Sequence, residues 1–203
     1  MIFDQQTHHA SRPLSRACRV LRRVLVMKAA ASDGKTGNKI DLLHTLTDGR
    51  SHSGKTFLEH LTNTSETLRK IGMPLYVQDA GLFHSVYGTE SYKFSHPLVS
   101  EQLITSVIGE QAAYLVRMFC SVRPRRQSIL QQFKQTGTEV WRDLALIEWA
   151  NLRDQMNHSD FRIVEIQTAL MEAGILKSEH IEQPKKVLCD ISLDEKPLVK
   201  KDG

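Results

Sequence analysis

Hydrophobic residues along the centre of the chain recur with the three- and four-residue rhythm of amphipathic helices. Over residues 56–71, Phe57, Leu61, Leu68 and Ile71 are spaced by four, seven and three positions, which places them on one helical stripe, and Gly72 is a natural stop. Pro74 suits the start of a second helix, with Val77, Ala80, Gly81, Phe83 and His84 on or near its inner face. The same rhythm predicts helices over residues 99–107, 109–120, 125–135, 139–158 and 161–173, with Gly174 capping the last. IDLLHTLTD, residues 40–48, reads as a short amphipathic helix as well. Breaks fall at Gly88, at His96-Pro97, at Arg123-Pro124 and at Thr136-Gly137-Thr138. Trp141 and Trp149, eight positions apart on one helical face, are expected in the core. Alternating strand-type runs are scarce, residues 186–191 being the one stretch that offers such a pattern, and no internal repeat is present. The pattern predicts an all-α helical bundle.

Length and charge then set its borders. With 203 residues, 40% of them hydrophobic, the chain can bury one good core. The expected division is a basic extension over residues 1–37, a helical domain over 38–178 and a polar tail over 179–203 containing EQPKK and DEKPLVKKDG. No apolar run approaches the roughly 18 residues that span a bilayer. The longest candidate, residues 20–31, is interrupted by Arg22, Arg23 and Lys28, so no membrane partner is expected. Cys18, Cys120 and Cys189 are too few and too far apart for a disulfide framework or a cysteine zinc site, which points to a reducing, soluble intracellular setting such as the cytoplasm. Residues 1–39 carry eight Lys and Arg against Asp4 and Asp33, a net +6 in a chain of +4, so the remainder is −2. A mildly acidic body is not a nucleic-acid footprint, and no nucleic-acid partner is expected. The basic head, rich in Arg, Ser and Ala, resembles an organellar transit peptide; the alternative is an amphipathic helix over 14–31 docked through Val20, Leu21, Val24 and Leu25.

Two motifs within residues 49–89 carry chemistry, and they are incompatible. GRSHSGKT, residues 49–56, matches the phosphate-loop pattern G-x-x-x-x-G-K-[ST], in which Lys55 would hold a nucleotide phosphate. That geometry needs a buried strand leading into the glycine turn, whereas the preceding residues read as a helix. LALIE, residues 144–148, mimics the acidic second element of such proteins but lies inside a helical pattern. The competing reading makes Ser53 or Thr56 the N-cap of the helix that follows.

The second motif is a histidine pair. His60 opens the pattern H-L-x-x-T-x-x-x-L, and His84 follows 24 residues later at the end of Ala-Gly-Leu-Phe-His. In these details the chain resembles the HD-domain superfamily, including guanosine-tetraphosphate hydrolases and inositol-oxygenase-type proteins. From His52 through Tyr92 it is most similar to an HD-like family of unknown function with His-Ser in place of His-Asp and the same Tyr-Gly-Thr-Glu block. IGEQAAYLVRMFCSVRPR (108–125) and ALIEWANLRDQ (145–155) extend the resemblance over about residues 38–160. It implies an HD-domain-like helical bundle whose metal ligands would be His60, His84, His52 and Asp154. Ser85 stands where the bridging carboxylate is expected. Asn151 stands at the distal aspartate position, with Glu148 and Asp154 one helical turn to either side, and His44 lies upstream. Ser85, Tyr87, Glu90, Glu148 and Asn151 would line the pocket. The implied cofactor is a divalent transition metal, Fe, Mn or Zn. A metal-bound water could then serve hydrolysis or oxygenation of a small, phosphorylated molecule, or the pocket could be kept for binding alone. Two other classes stay open: a non-catalytic interaction protein with structural histidines, and the phosphate-loop nucleotide binder. His96, beside Pro97, is expected to face solvent, and His8 and His9 have no assigned role.

Overall fold

The glycines and polar residues between Thr47 and Phe57 do not form a phosphate loop; they form a hairpin. In the computed structural model, which describes residues 36–52, 54–155 and 160–181, helix α1 (Thr36–Thr47) leads into strands β1 (Ser51–His52) and β2 (Lys55–Thr56). The strands pair antiparallel, Ser51 opposite Thr56 and His52 opposite Lys55, around Gly54 at φ +80. A helix therefore stands where a phosphate loop requires its delivering strand, and this two-residue pair is the whole of the sheet among the described residues. Thr56 then caps helix α2 (Phe57–Lys70): its hydroxyl accepts from the Glu59 amide, and the Glu59 carboxylate accepts from the Thr56 amide. Such a reciprocal box satisfies two of the helix's orphan donors.

Pro74 precedes α3 (Leu75–Phe83), as its fixed φ favours. The stretches expected at 99–107 and 109–120 run end to end as α4 (Glu101–Ser121), with non-helical backbone at Gly109, φ 79 and ψ 165, where only glycine is comfortable. Helix α5 (Arg125–Thr136) stops at Gly137 in the left-handed conformation, and α6 (Glu139–Gln155) and α7 (Phe161–Glu172) follow. The last is capped by the Asp160 side chain. A single 3-10 turn, Ser178–His180, ends the described chain. The expectations for residues 1–35, including the transit-type head and the helix at 14–31, and for the strand-like run at 186–191 lie outside the described residues, as do residues 156–159 at the end of the helix expected over 139–158.

Seven helices with one two-stranded hairpin make the described chain an all-α bundle. Helix α3 packs against both α2 and α4, and α6 packs against α2, α5 and α7. Phe57, Leu61 and Leu68 meet Val77, Ala80 and Phe83 in the core, joined by Ile104, Val116 and Phe119. A side chain on Gly81 would run into Leu68, so its missing Cβ is what lets α2 and α3 approach. Helix α6 is buried along its entire run from Asp143 to Leu152, Trp149 included, while Trp141 is half-buried. Burying a helix on all sides forces its polar residues inward, and this takes Glu148 and Asn151 into the interior. Among the described residues no helix is long and apolar enough to cross a membrane.

Candidate functional site

Three elements converge on one point. Helix α2 contributes His60, the end of α3 contributes His84, and the last turns of α6 contribute Asn151, Asp154 and Gln155; the hairpin lays His52 over them. His60 and His84 are fully buried, and their Nε2 atoms lie 3.1 Å apart. The His52 ring sits 4.7 Å from that of His60 and 4.3 Å from that of Tyr92.

The outer ring nitrogens fix the tautomers. His60 Nδ1 is 2.7 Å from Asp154 Oδ2, and a carboxylate can only accept, so Nδ1 carries the proton. His84 Nδ1 is 2.7 Å from the Gly81 carbonyl, so it too donates. In their neutral forms both Nε2 atoms are therefore bare acceptors pointing at each other. A third acceptor joins them: Asn151 Nδ2 donates to Glu148, 3.3 Å away, which turns Asn151 Oδ1 toward His84 Nε2 at 3.2 Å. The only donor reaching this cluster among the described contacts is the Gln155 carboxamide. Its nitrogen lies 2.7 Å from Asn151 Oδ1, 3.0 Å from His52 Nε2 and 3.3 Å from His60 Nε2.

Electrostatics keep protons off His84 and His52. Burial, reinforced by neighbouring His60, pushes His84 well below the ordinary imidazole value and His52 down to about 4. Burial alone would lift the Asp154 carboxyl, but hydrogen bonds from His60, Lys55 and Asn63 outweigh it and hold it at about 2. Lys55 donates to Asp154 at 2.8 Å and to that residue's carbonyl at 3.1 Å, so the lysine of the GKT motif braces the histidine cluster instead. In the presence of a chelator, stability is expected to fall in two stages on acidification. Below about pH 6.5 the unfolded chain takes up protons at His52 and His84 that the folded chain refuses, so stability declines as the pH drops toward about 4. Asp154 has a folded pKa below its unfolded one, so its contribution is present above about pH 4 and is lost between about 4 and 2. Thermal unfolding across the pH range checks this, and a flat profile between pH 7 and 5 would contradict neutral imidazoles.

A cavity of about 290 Å³ opens beside the cluster, lined by His52, Ser85, Glu90, Glu148, Asn151 and Gln155 together with Arg125, Arg126 and Arg162. Arg125 Nε donates to the buried Glu148 at 3.0 Å, and its guanidinium lies 4.6 Å from the Phe119 ring centroid. Burial lifts the Glu148 carboxyl above the usual range even with Arg125 alongside. Glu90 accepts from the Arg125 backbone amide at 3.0 Å, so it caps the first turn of α5 at the pocket edge. Arg126 pairs with Glu165 and Arg162 with Asp160.

Three residues are placed differently from their expected roles: Asp154, Tyr87 and His44. Asp154 stands behind His60 on its Nδ1 side, where both its oxygens are engaged, and is a supporting group. Glu148 lines the pocket, with its carboxylate held by Arg125 and Asn151. Tyr87 follows the turn after α3 away from the histidines and lines a neighbouring cavity of about 670 Å³ with Arg117 and Cys120; its hydroxyl is buried with no hydrogen-bond partner in the described structure. His44 is exposed on α1 and has no part in the described contacts of the cluster. His96 is half-buried, its Nδ1 accepting from the Leu98 amide, so it is not the free surface residue expected. Gln155, Asn63 and the arginines carried no sequence signal. Only the four-residue spacing of Asn151 and Gln155 put them on one helical face.

The donor set can be matched to a metal. Two nitrogen ligands at about 2.0–2.1 Å from a tetrahedral ion are roughly 3.3 Å apart, close to the His60 to His84 separation. A carboxylate on the far nitrogen of a ligating histidine is the usual orienting partner, and Asp154 holds His60 that way. Among the described residues, no group of three or more His, Cys, Asp and Glu side chains is arranged to hold an ion. The converging atoms are imidazole nitrogens and one amide oxygen, with the Gln155 amide between them.

Residues 42–125, less than half of the chain, match a domain family described as a domain of unknown function, DUF6817. That span contains His52, His60, His84 and Ser85 and ends at Arg125. No curated protein and no solved structure matches the chain.

Proposed function

We propose that the histidine-lined pocket is a divalent-metal centre of HD type that hydrolyses a small phosphorylated molecule. The observation that carries this reading is the meeting of His60 Nε2, His84 Nε2 and Asn151 Oδ1, three acceptors that share, among the described contacts, a single donor group, the Gln155 amide. Lone pairs held this close repel unless a cation or a hydrogen-bond donor sits among them, and imidazole nitrogens suit a transition metal such as Zn, Mn or Fe. His60, His84 and His52 would hold the ion, and Asn151 would add an oxygen. When bound, such an ion supplies a nucleophile by lowering the pKa of a coordinated water and polarises a phosphoryl oxygen.

The protein's own groups do the rest. Asp154 fixes the His60 tautomer and ring orientation, and Lys55 and Asn63 fix Asp154. The arginines at the cavity present guanidinium forks, the geometry that matches phosphate oxygens. Glu148 holds Arg125 through Nε and Glu165 holds Arg126 through one Nη, which orients both with donors to spare for an anion, whereas Arg162 closes its Nε and Nη2 on Asp160. The arginines favour phosphoester hydrolysis over oxygenation, for which no residue here supports a preference. HD-type architecture is in keeping with the all-α fold and with a site built where two histidine-bearing helices meet a buried third.

Phosphate release from para-nitrophenyl phosphate with Mn²⁺ or Zn²⁺ added tests the reaction. Turnover is expected in the wild type, with at least a hundredfold loss on His60→Ala, in keeping with removal of a group that organises the site. Equal rates in both proteins would sink the hydrolase reading.

A second reading rests on Gln155. Because its amide supplies donors to the cluster, the histidines could be a structural network closed by one proton shared between His60 and His84, in a binding or interaction protein without catalysis. Metal content separates the two.

A further inference from the structure

We infer that Gln155 is a built-in competitor for the metal, an uncharged amide that takes the ion's place when the site is empty of one. The inference rests on the metal reading above and adds the residue that controls it. A carboxamide NH2 has two hydrogens, yet the Gln155 nitrogen has three acceptors within 3.3 Å: Asn151 Oδ1, His52 Nε2 and His60 Nε2. The orientation of the amide follows from its neighbours. Asn151 turns its own nitrogen to Glu148 and its oxygen to Gln155, and His60 Nε2 is an acceptor because Nδ1 is committed to Asp154, so nitrogen and not oxygen must face inward.

The group at the focus of the cluster is therefore an amide N–H donor drawing on the lone pairs that an ion would use. Both cannot hold the same lone pairs. Binding has to break the Gln155 contacts, and the side chain has somewhere to go: Gln155 is the last residue of α6, half-buried, and lines the 290 Å³ cavity. Two consequences follow. Affinity for the ion is lowered by the strength of the contacts Gln155 gives up, which lets the site discriminate against ions that bind imidazole poorly. Loading also swings the amide into the cavity lined by Arg125 and Arg162, so the loaded pocket differs in shape from the empty one.

Zn²⁺ titration of the full chain by calorimetry tests this, comparing wild type with Gln155→Ala and Gln155→Met; the second keeps side-chain bulk and loses the hydrogen bonds. Both variants are expected to bind Zn²⁺ about tenfold more tightly, the equivalent of the hydrogen bonding removed from the metal-free state. A wild type that binds Zn²⁺ with variants of equal affinity overturns the role of Gln155 and leaves the metal centre standing. Weaker binding in both variants makes Gln155 a ligand and overturns it too. Absence of Zn²⁺ binding in all three proteins removes the metal reading itself.

Discussion

Replacing Arg125 by methionine is expected to destabilise the fold by about 3–5 kcal/mol, the range for stripping one partner from a buried ion pair. Glu148 is 1% exposed and Arg125 8%, so the abandoned carboxylate would face a low-dielectric interior with only Asn151 donating to it at 3.3 Å. The guanidinium also rests against Phe119, and the methionine keeps part of that packing while removing the charge. Changing both residues, Arg125→Met with Glu148→Leu, is expected to recover most of the loss, because an apolar pair of similar volume avoids the stranded charge. Urea unfolding of the two single variants and the double variant measures the coupling. A loss under about 1 kcal/mol for the methionine variant would mean that Glu148 takes up a proton and is carried neutral, in the direction its burial already pushes it.

The helices were legible because their determinants are local. The Phe57 to Ile71 stripe, the start at Pro74 and the glycine stops at Gly72, Gly137 and Gly174 are short-range signals, and the structure realises them. Gly109 divided the long α4 in the sequence because positive φ is a property of one residue. The phosphate-loop match failed for a complementary reason: its few constrained positions say nothing of the strand that must precede them, and the rhythm of residues 40–48 already spoke for a helix.

The site was partly legible. His52, His60, His84, Ser85, Glu90, Glu148 and Asn151 do gather at or beneath one pocket. Their roles were not, because roles depend on partners far along the chain. Lys55 meets Asp154 across 99 residues, and Arg125 meets Glu148 only because α5 packs on α6. Tyr87 lies three residues from His84, yet the turn after α3 sends it to a different cavity. Gln155 offered no motif at all; its importance comes from the tautomers of two other residues, and those are set by Asp154 and by the Gly81 carbonyl.

The largest functional effect is expected from His60→Ala with His84→Ala, which removes both imidazoles from the point where the acceptors meet. The two rings are fully buried, so the variant loses packing as well, and its helical circular dichroism must be checked beside its metal content. Elemental analysis of the purified full chain after loading with Zn²⁺, Mn²⁺ or Fe²⁺ and removal of free ion is the most direct test of the central claim. The account predicts about one tightly held ion per wild-type chain, as expected for a single imidazole site, and none in a double variant that keeps its helical spectrum. A folded wild type that emerges free of metal after loading, or a double variant that retains its full complement, would contradict it.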